Sequence, residues 1–152
     1  MKKETFLYFG YASNLDISTL EGRLNNPPKL KSLAVLPHHG FRFNFQNPDG
    51  SARANVIESK NESVYGILFE VDNSQLEYFL KSEPGYDFVE KEILTKKGPI
   101  KARVFVSEKI VKGIFPHKEY FETIIRGGEA NGIPKGYLAT GNSCRAGKRQ
   151  FS

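Results

Sequence analysis

The chain has 152 residues, a formal net charge of +5, one cysteine, one methionine and no tryptophan, with a mass of 17.1 kDa and a pI of about 9.3. That length suits one domain with a core that needs no staples, and the lone Cys144 rules out an internal disulfide framework. A composition 39% hydrophobic and 26% charged excludes a disordered chain, and apolar stretches such as Val64 to Phe69 fall far short of the ~20 residues a membrane span needs.

The basic start Met1-Lys2-Lys3-Glu4 leads into no long apolar region, so a cytoplasmic protein with no membrane partner is expected. Thr5 to Phe9 is dense in aromatic and β-prone residues, the pattern of a strand buried on both faces. The turn Tyr11-Ala12-Ser13-Asn14-Leu15 leads into a helix with Ile17, Leu20 and Leu24 at helical spacing, capped by Asp16. After the turn signal Asn26-Pro27-Pro28, Leu33 to Leu36 and Phe41 to Phe45 read as two separate strands. In the latter, Phe41, Phe43 and Phe45 alternate with Arg42 and Asn44. Asn47-Pro48-Asp49-Gly50 and Lys60-Asn61 read as turns, and Val64 to Val71 is the strongest strand signal. Asn73 or Ser74 is placed to cap a helix carrying Leu76, Phe79 and Leu80. Phe88 to Thr95 and Ile100 to Val106 pair as a hairpin around Lys97-Gly98-Pro99. A last helix starts near Pro116, carries Tyr120, Phe121, Ile124 and Ile125, and stops at Gly127-Gly128.

About six strands and three short helices in mixed order predict an α+β fold, a small closed or nearly closed barrel with flanking helices, because strands and helices do not alternate. Residues 1–144 form one domain in this reading, and residues 145–152, with Arg145, Lys148 and Arg149, a basic and flexible tail.

Two places draw attention as chemistry. Leu76, Phe79, Leu80 and Glu83 fall at i, i+3, i+4 and i+7, so a continued helix puts Glu83 on its buried stripe. A carboxylate there is costly to ionise, the condition that suits a general acid and base near neutral pH. Pro84 opens the other outcome, a helix that ends early and leaves Glu83 in water. The turn Tyr11 to Leu15 is the second place. Its backbone N–H groups can hold an anion or a developing oxyanion, with Ser13 and Asn14 adding donors, or it is simply a strand-to-helix connection. Ser13 lacks the Gly-x-Ser-x-Gly setting of an activated serine. His38, His39 and His117 have no metal-ligand spacing, and Gly127-Gly128 lacks the residues of a phosphate loop, so no metal and no cofactor are expected.

Four segments in order resemble the γ-glutamylcyclotransferase-like (AIG2-like, BtrG-like) family. Tyr8-Phe9-Gly10-Tyr11-Ala12-Ser13-Asn14-Leu15 is similar to its opening Tyr-Phe-Ala-Tyr-Gly-Ser-Asn-Leu/Met. Ala54-Asn55-Val56 and Val64 to Val71 resemble its Ala-Asn-Ile and Val-x-Gly-Val-Leu-Tyr-Glu-Val segments, and Leu80-Lys81-Ser82-Glu83 stands where it has Leu-Asp-x-x-Glu-Gly. Pro116 to Tyr120, Ile124-Ile125-x-Gly127-Gly128 and Gly132-Ile133-Pro134-x-x-Tyr137 resemble its C-terminal run. The resemblance implies a barrel with a cavity at its mouth, Glu83 as catalytic acid and base, and substrate binding by Tyr11, Ala12, Ser13, Asn14 and Leu15, with Tyr137 near the pocket. It implies a small γ-glutamyl substrate and a transferase or lyase reaction that releases pyroglutamate, without metal or nucleotide. The sequence departs from the pattern at Ala12 and Pro84, where the family has glycine, and at Gly128, where it has alanine. Ala12 and Pro84 motivate a rival reading, a non-catalytic small-ligand binding protein on the same scaffold. A nucleic-acid binder, motivated by the pI, by Arg42, Arg53 and Arg103 and by the basic tail, ranks last.

Overall fold

The computed structural model of the protein describes residues 4–15, 20, 28–134 and 137. Among them are five strands, β1 (Thr5–Gly10), β2 (Lys29–Gln46), β3 (Ala52–Asp72), β4 (Asp87–Thr95) and β5 (Gly98–Val106). Two α-helices, α1 (Leu76–Ser82) and α2 (Lys118–Ala130), and two 3₁₀ turns, Ser13–Leu15 and Asn73–Gln75, complete the described elements. The strands close into a barrel in the order β1-β3-β2-β4-β5. Neighbours are antiparallel except β1 and β5, which meet in parallel at Tyr8 and Arg103. This is the expected small mixed barrel with helices beside it. The predicted helix around Ile17 and Leu24 lies outside the described residues apart from Leu20, which is buried, and so does the tail at 145–152.

The two strands predicted at Leu33 to Leu36 and Phe41 to Phe45 are one, so five strands stand where about six were expected. Pro37, within the single strand, cannot donate to a ladder. It is tolerated because it sits at a bulge, where the register jumps from Pro37↔Ser63 to His39↔Glu58. His38 at that point takes φ 61°, alone among the described non-glycine residues. The Lys60-Asn61 turn signal falls in the matching excursion of β3, where Ser59 to Glu62 have no partner in the β2 register. The long pair then bends at a bulge instead of ending, which lets two strands supply much of the barrel wall.

The hairpin of β4 and β5 is as expected, with Thr95 opposite Gly98 at its tip. The buried core is rich in aromatic rings. Phe9, Phe69 and Phe79 are among its largest fully buried side chains, and Phe88 stacks on Phe105 with centroids 4.4 Å apart. β1 is buried only toward its C-terminal end, so the expectation of a strand covered on both faces holds for Tyr8 to Gly10 and not for Thr5.

α1 starts, and α2 stops, at a different residue from the one predicted. α1 follows a 3₁₀ turn capped by Asp72, whose carboxylate accepts from the Ser74 amide at 3.0 Å, one residue before the expected caps. It buries Phe79, while Leu80 is 54% exposed. α2 runs through Gly127 and Gly128 to Ala130. Both glycines are buried. The stop is Gly132, whose φ of +82° is the left-handed conformation that ends helices. Its amide donates to Glu129 at 3.4 Å and the Ile133 amide to Gly128 at 3.0 Å, the paired bonds of a Schellman closure, with Ile133 buried beneath. No described helix is long and apolar enough to cross a membrane.

Candidate active site

β1 ends buried and hands the chain to Tyr11. The Leu15 amide closes back on the Ala12 carbonyl at 2.9 Å, so residues 12–15 make one tight turn. Three bonds fix it. Tyr11 donates its hydroxyl to the Phe105 carbonyl at 2.8 Å, Asn14 Nδ2 donates to the Tyr8 hydroxyl at 2.8 Å, and Asn131 Nδ2 donates to the Leu15 carbonyl at 2.8 Å. Strand β1, strand β5 and the end of α2 therefore all hold the loop. Ala12 has no positive φ, so the alanine in place of the family's glycine is unstrained there.

Glu83 reaches the barrel by a route other than a continued helix. α1 ends at Ser82, and Glu83 takes φ −127° and ψ 76°, the extended conformation favoured before proline. The chain then turns on Pro84 and Gly85, closed by the Tyr86 amide donating to the Glu83 carbonyl at 3.0 Å. Gly85 has φ +90°, and a Cβ there would come within 2.7 Å of the Phe45 ring. This turn swings the Glu83 carboxylate inward, leaving its side chain 14% exposed. The stripe through Leu80 that suggested its burial does not exist.

Glu83 and the loop share one cavity. It is lined by Tyr8, Tyr11, Ala12, Ser13, Asn14 and Glu83, together with Arg53, Ala54, Tyr86, Phe105 and Tyr120, and is partly open to solvent. Of the residues singled out from the sequence, Leu15 is instead packed in the core. Tyr137 rests on Tyr65, with centroids 4.9 Å apart, and is not in the lining.

Three lining residues carry functional groups that sequence reasoning did not assign to a site. Arg53, on β3, forms an ion pair from Nη2 to Glu83 Oε1 and lies 5.4 Å over the Tyr86 ring. Burial works against its charge, but Glu83, with Tyr120 and Tyr86, more than offsets this and holds the guanidinium's pKa above its ordinary value. Tyr86 donates to the Ala54 carbonyl at 2.5 Å, and the Tyr120 hydroxyl accepts from the Ala54 amide at 2.9 Å. Burial pushes the pKa values of Tyr11, Tyr86 and Tyr120 upward, with nearby negative charge on Glu83 adding to the effect. All three are neutral hydrogen-bonding groups at ordinary pH. Arg42, by contrast, is held by Glu62 in a two-point pair at 3.0 and 2.7 Å, and Arg103 lies 5.7 Å over the Phe88 ring. Among the described residues no group of three or more His, Cys, Asp or Glu could hold a metal ion.

A closed mixed barrel whose cavity joins a buried acid to a tight loop after the first strand defines a class of small barrel proteins. Within that class the chain belongs to the AIG2-like family, whose model matches residues 63–140. It is 28% identical over 152 residues to a protein from Bos taurus named gamma-glutamylcyclotransferase, covering 92% of this chain and 79% of the relative. A Homo sapiens protein of the same name is 26% identical over 147 residues, covering 89% and 76%. A solved structure described as gamma-glutamyl cyclotransferase superposes with a TM-score of 0.83 at 22% identity, covering 90% of this chain and 86% of that one. That structural likeness bears on the fold.

Proposed function

We propose that the protein is an enzyme that releases pyroglutamate from a γ-glutamyl amine or small peptide, with Glu83 as general acid and base. The observation that carries this reading is that Glu83 and the Tyr11 to Asn14 loop line one cavity. Membership of the AIG2-like family and the names of the relatives support it.

The chemistry needs few parts. The substrate's α-amine attacks its own γ-carbonyl carbon, so a five-membered ring forms from one folded molecule and much of the entropic barrier disappears. Glu83 takes a proton from the α-ammonium to release the nucleophile. Closing the N–C bond puts negative charge on the carbonyl oxygen, which donors of the Ala12 to Asn14 loop stabilise. The attacking nitrogen then gives up a second proton. Both protons end on the departing amine as the old C–N bond breaks, so nothing is consumed and the carboxylate is restored. Tyr86 and Tyr120, neutral and fixed on Ala54, line the same cavity.

Glu83→Gln keeps the shape and deletes the proton transfer. The expected outcome is a fall in pyroglutamate release of about 10²- to 10⁴-fold, with the thermal midpoint retained as evidence of folding. Full activity in that variant would remove Glu83 from the mechanism. Ala12, which lines the cavity, favours a second reading, a protein that binds a γ-glutamyl ligand without turning it over. Thermal stabilisation by such a ligand with no pyroglutamate formed would select it.

A further inference from the structure

Resting on the cyclotransferase reading, we propose that Arg53 is the receptor for the α-carboxylate of the γ-glutamyl unit, and that a bound carboxylate draws the guanidinium away from Glu83. The acid is thereby released for proton transfer only when a substrate with a free α-carboxyl group is in place.

Charge complementarity points to this assignment. A γ-glutamyl compound carries an ammonium and a carboxylate on the same carbon. The cavity lining holds one anion and one cation, Glu83 and Arg53, and they are paired with each other. A zwitterionic ligand therefore meets a zwitterionic pair. Exchange gives ammonium against Glu83 and carboxylate against Arg53, with the net charge of the cavity unchanged. A guanidinium matches a carboxylate through two parallel N–H donors, and Arg53 lies in the lining with only 25% of its side chain exposed. It is also restrained from leaving. Arg53 stands on β3 between buried Ala52 and Ala54, and its guanidinium rests on the Tyr86 ring. A shift from Glu83 to a ligand is thus a short movement within one wall. Without a ligand carboxylate the base stays occupied by its neighbour, which builds substrate discrimination into the site itself.

The test compares a γ-glutamyl amine with the analogue whose α-carboxylate is a carboxamide, on wild type and on Arg53→Gln. Wild type should prefer the carboxylate by ~100-fold or more in kcat/KM, the scale of losing one partner of a buried charge pair. In R53Q the carboxylate substrate should lose mainly through KM, and the preference should collapse toward unity. The sharper sign is on the carboxamide. In R53Q Glu83 has no guanidinium to shed, so kcat on that analogue should rise several-fold over wild type. A residue that merely braced Glu83 would give a fall on both substrates by the same factor, and that result overturns the proposal. Wild type treating the two substrates alike overturns it as well, and this arm needs no variant, so a poorly folding R53Q does not rescue the idea. If wild type converts neither compound, the cyclotransferase reading fails separately. Calorimetry with pyroglutamate and its carboxamide still decides on Arg53, because binding that ignores the carboxylate refutes the assignment and a carboxylate preference lost in R53Q upholds it.

Discussion

The fully buried side chain of Asn55 donates to Asn44 Oδ1 and to the Ser107 carbonyl, and accepts from the Ser107 amide, each at 2.9 Å. Ser107 in turn donates its hydroxyl to the Gly85 carbonyl at 2.8 Å. A chain of polar contacts therefore runs from inside β3 to the turn that aims Glu83. Leucine at position 55 has a comparable volume and none of the donors or acceptors. Asn55→Leu strands the Ser107 amide and carbonyl and the Asn44 side chain, each costing about 1–3 kcal/mol when buried without a partner. The expected loss is about 3 kcal/mol or more, or roughly 10 °C in the thermal midpoint of a chain this size. A midpoint within a degree or two of wild type would show that the network carries no weight. The same residue stands in the sequence as part of an Ala-Asn-Val motif, and its spacing says nothing of Ser107, which lies 52 positions away.

At the scale of elements, close approach decides what β3 tolerates. Gly66 pairs with Ala34 on β2, and a Cβ on it would sit 2.5 Å from the Gly10 carbonyl oxygen and 2.6 Å from the Phe9 ring. The carbonyl belongs to the backbone of β1 and cannot swing aside. Gly66→Ala should cost ~1–3 kcal/mol through overpacking and lower the midpoint by several degrees in calorimetry. Because Gly10 leads directly into the Tyr11 loop, pyroglutamate release should fall with it. An unchanged midpoint would mean that the two strands have room to part. What could be read from the sequence follows the same division. The hairpin of β4 and β5 was legible because its signals are local, a glycine turn between two β-prone runs. β2 is one strand where the sequence reads as two, because the chain continues through a bulge at Pro37 and nothing local announces a bulge. Glu83 was legible as a residue and illegible as geometry, since the Pro84-Gly85 turn buries it and the helical stripe does not. Arg53, Tyr86 and Tyr120 were not assigned to the site at all. They come from a strand, a turn and a helix, and only closure of the barrel brings them to one cavity.

Closure also sets a property of the whole molecule. Tyr11, Tyr86 and Tyr120 are buried where separate elements converge, and burial is the first cause of the upward displacement of their pKa values. Their hydroxyls are tied to the Phe105 carbonyl, the Ala54 carbonyl and the Ala54 amide. Ionising Tyr11 or Tyr86 would delete the bond it donates, and any of the three would place new negative charge near Glu83. The folded state therefore holds these protons more tightly than the unfolded chain does. The sign of the linkage follows, because stability from such groups is complete below the ordinary tyrosine pKa of about 10 and is lost as pH rises above it. Raising the pH should thus hold the three in the neutral form until the barrel opens, and then release them together. In a spectrophotometric titration, their tyrosinate absorbance should appear in the same cooperative step as the loss of far-ultraviolet circular dichroism. Tyr86→Phe and Tyr120→Phe should each make the step smaller, since one fewer tyrosine is released when the barrel opens. If all seven tyrosines instead titrate smoothly near 10 with the circular dichroism intact, the cavity wall is open to water and the hydroxyls are not sealed within it.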